Sequence, residues 1–453
     1  MPNSKKIMEF KEDTLGFRGL KIEACYEEGG GIHTRGSELE TTNKDPLQRR
    51  CSMLKKCLLV GILVIGFVFW IGHPAMAGDT VKVGVISVLS GPLAVIGNGE
   101  LWSAEMAIND YGTVLGKKIE LIARDHAYNP GIANEKAKEL YQKENVDVII
   151  ACPNSAAALA VAQQALIHKK PFISTSAGTT DLIGKRCNRY VIKWNYNDYM
   201  LATTVGLWGA EHLGKKWYTI TSDYAWGHDL LKHFTAALKK KGGVHLGNDM
   251  VALHTTDYSP YILKAMKANP DVLVLLNVGK DATNSTKAAL EFGLKKKTKI
   301  VHALLFGPNI KGAGPEVFAD DYCAMSWYWK VDNPGAREYA DKYYKLHGER
   351  PHFMAAAVYS ATWQYLEAVK RAGTTDPEAV IKALEGHTFR DMFANPGYIR
   401  PEDHQQIAKS LLLRAKRPGE IKENYDYFEI VGTVPAEEAF GKPGQFGCTL
   451  KGF

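Results

Sequence analysis

The chain has 453 residues, of which 45% are apolar and 23% charged. This ordinary globular composition excludes a largely disordered or collagen-like chain. The formal net charge of +7 is spread along the sequence, which argues against a nucleic-acid-binding surface. Seven cysteines are too few for a disulfide-rich scaffold, and a single apolar stretch excludes a polytopic membrane protein.

That apolar stretch lies near the N-terminus and has three parts. Residues 53–56 (MLKK) give a basic start, residues 58–72 an apolar run, and residues 75–77 (AMA) a small-x-small end. The pattern is typical of a secretory signal and predicts cleavage before Gly78. The alternative is an uncleaved anchor, although the run is shorter than the roughly 20 residues that a spanning helix needs. We therefore expect the mature chain in the periplasm.

The segment before this signal, residues 1–52, is polar and has no apolar periodicity. A signal peptide is expected to begin a chain, and Met53 is a natural initiator for it. Two interpretations stay open: a non-translated extension upstream of the true start, or a disordered cytoplasmic tail.

From residue 80 onward, short Val/Ile-rich runs alternate with helical patterns. The first set predicts strands at 81–88, 119–124, 146–151 and 171–174, and helices at 101–109, 132–142 and 156–168. The second set predicts strands at 217–221, 250–253, 271–277 and 300–305, and helices at 229–240, 261–268 and 283–292. Such alternation is typical of βαβ units around a parallel sheet. These are too many strands for one compact sheet, so we predict an α/β fold with two lobes.

Beyond residue 332 the pattern becomes helical, with predicted helices at 336–346, 353–371 and 377–384 and a late strand at 410–414. Enzyme signatures such as H-E-x-x-H, G-x-S-x-G and the P-loop are missing. We predict no catalytic residue, no metal site and no cofactor. An enzyme without a short motif is a minor alternative.

The mature part contains four cysteines, and their spacing does not suit a metal site. Cys187 and Cys448 lie in polar, glycine-containing loops, so they are the predicted disulfide pair in an oxidising compartment. Cys152 ends a buried strand and Cys323 lies in another strand-like run, so both are predicted core thiols. Connectivity cannot be deduced from the sequence alone.

Polar loops with small residues follow several predicted strands of the first half. Ser90 follows the first strand, and Asn154 and Ser155 follow the third and open a helix. The fourth strand is followed by a Ser/Thr-rich loop that contains Ser176, Ala177, Gly178 and Thr179. Ligands of open α/β sheets bind beyond the carboxyl ends of the strands, where helix N–H groups favour an anion. We predict these residues as ligand contacts, although Ser155 can also be an ordinary helix cap.

The second half supplies its own residues at strand ends. They are Tyr224, Trp226, Asn277, Gly279 and Asn309. The aromatic side chains either pack within the lobe or, if they face a cleft, stack on a flat or apolar ligand.

These loops and strands resemble the leucine/isoleucine/valine-type periplasmic binding proteins, the extracytoplasmic receptors of ABC importers. The resemblance rests on residues 83–86 (VGVI), 89–92 (LSGP), 129–130 (NP), 172–174 (FIS) and 222–227 (SDYAWG), and it extends from residue 80 to about residue 439. The segment 176–182 (SAGTTDL) is similar to a proteobacterial subgroup in which some members take aromatic and other organic acids.

The resemblance implies two Rossmann-like lobes with parallel sheets, joined by a three-crossing hinge near Trp194, Trp329 and Gln405. The expected limits are 53–77 for the signal peptide, 78–194 plus 330–405 for lobe I, and 195–329 plus 406–453 for lobe II. A small carboxylate-containing ligand is expected in the interlobe cleft, which closes by a hinge motion. The ABC permease is the expected partner.

Two departures from the family pattern bear on the ligand. Family members hold a ligand carboxylate at positions matching Ser155 and residues 176–178, but Gly178 stands where a threonine donor is usual. Asn309 stands where an acidic residue pairs with the ligand ammonium, and an ammonium buried without a carboxylate is costly. The resemblance therefore favours an aromatic or other organic acid.

Two alternatives stay open. The first is a branched-chain amino-acid-binding protein of the same transport class. The second is a ligand-sensing regulator, which would need a DNA-binding motif or a cytoplasmic address; the secretory signal argues against both.

Overall fold

The computed structural model describes residues 80–448 and residue 450. The predicted signal peptide and residues 1–52 lie outside the described residues. No helix of the described part combines the length and the apolar character needed to cross a membrane.

The first lobe is built on a six-stranded sheet. Its strands are β1 (Val81–Ser87), β2 (Thr113–Val114), β3 (Lys117–Asp125), β4 (Val148–Ala151), β5 (Phe172–Ser174) and β6 (Val191–Lys193). They run in the order β2-β3-β1-β4-β5-β6, and all neighbours are parallel except the β2–β3 pair. In register, Val83 lies opposite Leu121 on one side and Val148 on the other. The central strand β4 is buried along its whole length and β1 at every residue but Lys82, as expected of a sheet covered on both faces.

Helices connect these strands and cover the sheet. They are α1 (Ala94–Tyr111), α2 (Pro130–Gln142) and α3 (Ser155–His168). Three helices from the later part of the chain follow: α10 (Ala336–His347), α11 (Phe353–Ala372) and α12 (Pro377–Leu384). α11 packs along α1 and against α12, which brings this late segment back to the first lobe.

The second lobe holds a seven-stranded sheet. Its strands are β7 (Lys216–Ser222), β8 (Val244–Val251), β9 (Val272–Leu276), β10 (Lys299–His302), β11 (Tyr322–Met325), β15 (Ser410–Ala415) and β16 (Phe428–Val434). The order is β16-β15-β11-β10-β9-β7-β8; the five strands from β11 to β8 are parallel, and β15 runs antiparallel to both of its neighbours, β11 and β16. The helices of this part are α4 (Asp198–His212), α5 (Ala225–Lys240), α6 (Ser259–Ala268), α7 (Lys280–Glu291), α8 (Gly307–Ala313), α9 (Pro315–Phe318) and α13 (Ala436–Phe440). A small antiparallel sheet of β12 (Thr388–Phe389), β13 (Gly397–Ile399) and β14 (Gln406–Ile407) lies between the late helices and β15.

The chain passes between the two large sheets after β6, after β11 and before β15, and the three connections are hydrogen-bonded to one another. Asn195 lies in the first connection, and its side-chain oxygen accepts a hydrogen bond from Ser326 in the second connection. The backbone N–H of Asn195 donates to the side chain of Gln406 in the third connection. The Gln405 amide donates to the carbonyls of Lys193 and Asn195 at 3.2 and 3.0 Å. Because these buried polar groups satisfy one another, the lobes are joined by a defined hinge rather than by loose linkers. The residue limits of the lobes stay a prediction.

The predicted two-lobe α/β fold is confirmed, but the sequence analysis missed the helix α4. Eleven of its fifteen residues are buried, Asp198 among them. A helix buried on nearly all sides has no polar stripe, so it gives no 3.6-residue signal in the sequence.

Cys187 and Cys448 are joined by a disulfide, with their Cα atoms 5.7 Å apart. A backbone bridge between Gly184 and Gly447 lies beside it. Together they tie the C-terminal tail to the loop between β5 and β6. Cys152 and Cys323 are free and buried, which confirms their expected place in the core.

Candidate functional site

A cavity lies between the two lobes at the carboxyl ends of their strands. It is lined by Ile96, Tyr128, Pro153, Asn154, Ser155, Ser176, Gly178, Tyr196, Tyr224, Trp226, Val278, Leu304 and Met354. Six of the predicted ligand contacts are therefore brought together: Asn154, Ser155, Ser176, Gly178, Tyr224 and Trp226. We call the part formed before residue 195 the polar wall and the part formed by Tyr224, Trp226, Val278 and Leu304 the aromatic wall.

The N-terminus of α3 forms one part of the polar wall. The Asn154 Oδ1 accepts the N–H groups of Ala156 and Ala157 at 3.0 and 3.1 Å, and this side chain caps the helix. Ser155 is fully buried, and its Oγ accepts the N–H of Thr179 at 3.3 Å. Because the Oγ is the acceptor in that bond, its own hydrogen is available to a ligand. The positive end of the helix dipole adds a preference for an anion.

Ser176 forms the other part of the polar wall and is held by a buried acid. Its hydroxyl donates to the Glu100 carboxyl and lies 2.9 Å from the Thr175 hydroxyl. The other oxygen of Glu100 accepts the hydroxyl of Ser87. Burial raises the pKa of Glu100 to about 7, although both serine hydroxyls act to lower it. An ionisable acid thus lies directly behind the cavity wall.

Gly178 sits where no side chain fits. A Cβ at this position would lie 2.0 Å from the Asp198 Oδ1 and 2.6 Å from the Trp226 Nε1. The Gly178 carbonyl accepts the N–H of Asp198 at 2.7 Å. Burial and the neighbouring Asp229 raise the pKa of Asp198 well above its usual range. The carboxyl of Asp198 and the indole of Trp226 therefore explain the glycine that stands at the position of a family threonine.

The aromatic wall begins where α5 begins. The Tyr224 and Trp226 rings lie 5.9 Å apart, and both pack against the core. The Tyr224 hydroxyl lies 3.2 Å from that of Tyr128, which comes from the opposite side of the cavity. Val278 and Leu304 complete this wall. Flat rings and aliphatic side chains here suit an aromatic or apolar ligand body.

A second contact between the lobes lies beside the cavity. The N–H and hydroxyl of Thr180 donate to the Asp229 carboxylate at 2.7 and 2.9 Å. His233, one turn further along α5, lies 3.1 Å from the same hydroxyl. His233, together with the backbone N–H of Thr180, keeps the pKa of Asp229 below its usual range despite burial. Thr180 follows β5 and Asp229 follows β7, so this cluster joins the two lobes.

Three first-half residues that were predicted as ligand contacts do not line the cavity. Ser90 is exposed, and its hydroxyl interacts with the Asp125 carboxylate. Ala177 is buried within its loop. The hydroxyl of Thr179 accepts the N–H of Asp181 and caps a short 3-10 turn.

Three second-half residues also lie away from the cavity. The Asn277 amide donates to Ser285 at 3.0 Å in the interior of the lobe. Gly279 has a φ of +65° and begins α7, where a Cβ would lie 2.8 Å from Leu93 of the first lobe. Asn309 is in the first turn of α8, and its neighbours Gly307 and Pro308 line a different, aromatic-rich cavity that Asn309 itself does not reach.

Sequence reasoning missed Tyr128, Tyr196 and Glu100. Tyr128 follows β3, so the strand-end rule that selected Ser155 and Ser176 would have found it. Tyr196 follows β6, a strand of only three residues, which is too short to be recognised from the pattern of apolar residues in the sequence. Glu100 lies within α1, and nothing in the local pattern distinguishes it from an exposed helix acid.

Comparison with known proteins agrees with this architecture. The family model for periplasmic binding proteins matches residues 80–420. A solved periplasmic binding protein from Burkholderia mallei is 35% identical, with a TM-score of 0.79, and the match covers 82% of this chain and 99% of that one.

Two further relatives bear on ligand chemistry. A solute binding protein of an ABC transporter from Rhodopseudomonas palustris BisB5, solved in complex with 3,4-dihydroxybenzoic acid, is 27% identical with a TM-score of 0.71; the match covers 79% of this chain and 98% of that one. The Leu/Ile/Val-binding protein homolog 4 of Brucella abortus (strain 2308) is 23% identical over 401 residues, which are 84% of this chain and 95% of the relative.

Proposed function

This chain belongs to the periplasmic binding protein family, and we propose that it is the receptor of an ABC importer that takes up an aromatic or other organic acid. The family consists of solute-binding proteins of ABC transporters and not of enzymes. In the proposal, the acid binds between the polar wall and the aromatic wall, and the closed protein delivers it to the permease.

The observation that carries the proposal is the opposite chemistry of the two walls. The hydroxyls of Ser155 and Ser176 and a helix N-terminus come from the first lobe, alongside apolar residues such as Ile96, whereas the second lobe contributes mainly rings and aliphatic side chains. A carboxylate on a flat apolar body satisfies both walls at once. Ser155 has a hydrogen to donate to the carboxylate, and Trp226 covers the ring when the lobes close.

A free α-amino acid suits this cavity less well. Among the described residues that line it there is no acidic side chain to pair with an ammonium group. Asn309, which the family resemblance led us to expect at the acidic position, lies in α8 outside the cavity and therefore does not itself decide the ligand class. An ammonium group enclosed here would lose its hydration without gaining a charged partner.

The relatives support both ligand classes to different degrees. The Rhodopseudomonas protein was solved with a dihydroxybenzoic acid, whereas the Brucella homologue carries a leucine/isoleucine/valine name. The lining of the cavity leads us to favour the acid.

Isothermal titration calorimetry with purified protein tests the choice. We expect benzoate, 4-hydroxybenzoate or 3,4-dihydroxybenzoate to bind more tightly than leucine, isoleucine or valine. A tight ligand should also raise the melting temperature by mass action. Submicromolar leucine binding with no response to any aromatic acid would contradict the ligand class and leave the receptor role standing. Loss of uptake of the radiolabelled acid on deletion of the gene would test delivery to the permease.

We also infer export with cleavage before Gly78, because residues 53–77 have the three parts of a secretory signal. N-terminal sequencing of protein recovered from the periplasm tests this. A mature form that keeps residues 58–72 would contradict it.

A further inference from the structure

Glu100 is a fully buried acid that has no direct contact with the cavity. It projects from α1 between the end of β1 and the loop after β5. Each carboxyl oxygen has one hydroxyl partner, Ser87 on one side and Ser176 on the other. Only Ser176 of these two lines the cavity. The hydrogen-bonded route from Glu100 to a ligand therefore runs through the hydroxyl of Ser176.

Counting hydrogens shows what Ser176 can offer when Glu100 is ionised. A serine hydroxyl has one hydrogen, and here that hydrogen is donated to Glu100. The neighbouring hydroxyl of Thr175, at 2.9 Å, then supplies its hydrogen to the Ser176 Oγ. Ser176 consequently presents only a lone pair to the cavity, which repels a carboxylate.

Protonation of Glu100 reverses this arrangement. The carboxylic acid has its own hydrogen and can donate it to the Ser176 Oγ. The hydrogen of Ser176 is then released and can turn towards the cavity. A ligand carboxylate gains a donor, and no second negative charge lies behind it.

We propose that Glu100 is a specificity-determining residue, and that it takes up one proton when a ligand carboxylate binds at Ser176. The proposal rests on the proposed function, because it takes the ligand to be a carboxylate. The proton comes from bulk water and stays on Glu100, so the bound complex contains one ionised carboxylate, that of the ligand. Without the proton, two carboxylates would flank a single hydroxyl hydrogen inside a closed cavity, and like charges placed so closely cannot both remain ionised at low cost.

No titratable group identified around Glu100 among the described residues supplies a positive charge that could neutralise its carboxylate in place of the proton. Burial raises the pKa values of the Cys152 thiol and the Tyr196 hydroxyl well above their usual range, and the charge of Glu100 raises both further, so both groups stay neutral. From the N-terminus of α11, the His352 Nε2 lies beside Gly99, and burial lowers the pKa of His352 to about 4.

Two titratable groups come from the end of β3, which also packs on α1. The Asp125 carboxylate accepts the N–H groups of Leu89 and Ala127. Burial lowers the pKa of His126 to about 4, so this ring is neutral at neutral pH. Neither histidine therefore brings a positive charge to Glu100.

The direction of the pH dependence follows from linkage. In the free protein, burial raises the pKa of Glu100 to about 7, and a bound carboxylate would raise it further. Binding should therefore be independent of pH below about 7, where Glu100 is already protonated. Above pH 7 the affinity should fall by up to about tenfold per pH unit, because each binding event must then draw a proton from solution.

Calorimetry of benzoate binding at pH 8, in buffers of different ionisation enthalpy, measures the proton count directly. Benzoate is chosen because its carboxyl is ionised throughout the range and it has no other titrating group. We expect close to one proton taken up per ligand. For Glu100→Gln we expect no proton uptake and nearly the same affinity at pH 6 and pH 9, since the carboxamide donates to Ser176 as the protonated acid does.

Ser87→Ala is the matched control, because Ser87 binds the other oxygen of Glu100 and does not line the cavity. Loss of a donor to the ionised carboxylate raises the pKa of Glu100 further, so the fall in affinity should begin at a higher pH, and proton uptake should be smaller at pH 8 and recover at higher pH. This shift is a second test that does not depend on the folding of the Glu100 variant.

The outcomes separate the two proposals. Benzoate binding without proton uptake, or a Glu100→Gln variant with the pH dependence of the parent, would overturn the coupling and leave the proposed function intact. Absence of binding by every acid tested would overturn the proposed function, and the coupling with it.

Discussion

The two walls of the cavity are built in different ways. In the polar wall nearly every hydrogen-bonding group is already engaged with a neighbour: Asn154 with the start of α3, Ser155 with Thr179, and Ser176 with Glu100. In the aromatic wall the contacts are mainly between rings and aliphatic side chains.

We infer from this difference that the polar wall positions the ligand carboxylate and the aromatic wall covers the ligand body. The polar wall is fixed by its own hydrogen bonds before a ligand arrives, so it can define where a carboxylate sits at little further entropic cost. The aromatic wall contributes mainly apolar area, of which Trp226 and Leu304 are already buried between the lobes. We therefore expect substitutions in the aromatic wall to act through buried area and those in the polar wall through single hydrogen bonds.

The largest expected effect comes from the aromatic wall. Trp226→Ala should weaken binding of the aromatic acid by about 30- to 1000-fold in calorimetry, because a buried tryptophan at the centre of an interface commonly contributes about 2–4 kcal/mol. The control is Trp208→Ala on α4, where the indole stacks on His212 away from the cavity. A loss below tenfold for Trp226→Ala would contradict the role of the aromatic wall.

In the polar wall, removal of a single hydroxyl oxygen should lower the affinity more than the loss of its small surface area would. Ser176→Ala removes a hydroxyl that we expect to donate to a carboxylate, a bond worth about 1.5–3 kcal/mol, so the dissociation constant should rise by about 10- to 100-fold. Ser90→Ala makes the same chemical change at an exposed position outside the cavity and should leave the affinity within about twofold. Equal losses of affinity for the two substitutions would contradict a specific role of the Ser176 hydroxyl in ligand binding.

The two walls also depend on the contact that holds the lobes together. Thr180→Val removes a hydroxyl that lies within hydrogen-bonding distance of Asp229 and His233, and we expect about a five- to tenfold loss of affinity with no change at the ligand itself. Thr235→Val is the matched control, since the hydroxyl of Thr235 bonds only within its own helix. Small-angle scattering should show that the Thr180 variant closes less completely at a given ligand concentration. Unchanged affinity and unchanged compaction would show that the contact does not contribute to closure.

The sequence was a good guide to the walls because their positions follow from topology. Parallel strands place their carboxyl ends at one edge, so Ser155, Ser176 and Trp226 could be assigned to one cleft from their places after predicted strands. The same rule failed for Asn277 and Asn309. The Asn277 side chain turns into the lobe towards Ser285, and Asn309 is carried away from the cavity by the start of α8.

The groups behind the walls could not be predicted in this way. Glu100 and Asp198 are charged residues within helices, and in a sequence such residues look like a solvated face. Both are contacted by loops from elsewhere in the chain, at Ser176 and Gly178. Burial of this kind depends on tertiary contacts, which hydrophobic periodicity does not report.

The smallest expected effect concerns the single hydrogen bond that joins the two walls directly. The hydroxyls of Tyr128 and Tyr224 lie 3.2 Å apart, which is long for a bond between two neutral hydroxyls. Tyr128→Phe and Tyr224→Phe should each weaken ligand binding by about two- to threefold in calorimetry, because each removes the same neutral bond.

The double variant Tyr128→Phe/Tyr224→Phe sharpens this expectation, because two substitutions that delete one shared bond should not add. It should bind no more weakly than either single variant. Burial raises the pKa of Tyr128 to about 12 and that of Tyr224 well above its usual range, so both hydroxyls keep their protons and these small effects should be the same at pH 6 and pH 9. Additive losses would mean that each hydroxyl contacts the ligand separately and that this bond does not hold the two walls together.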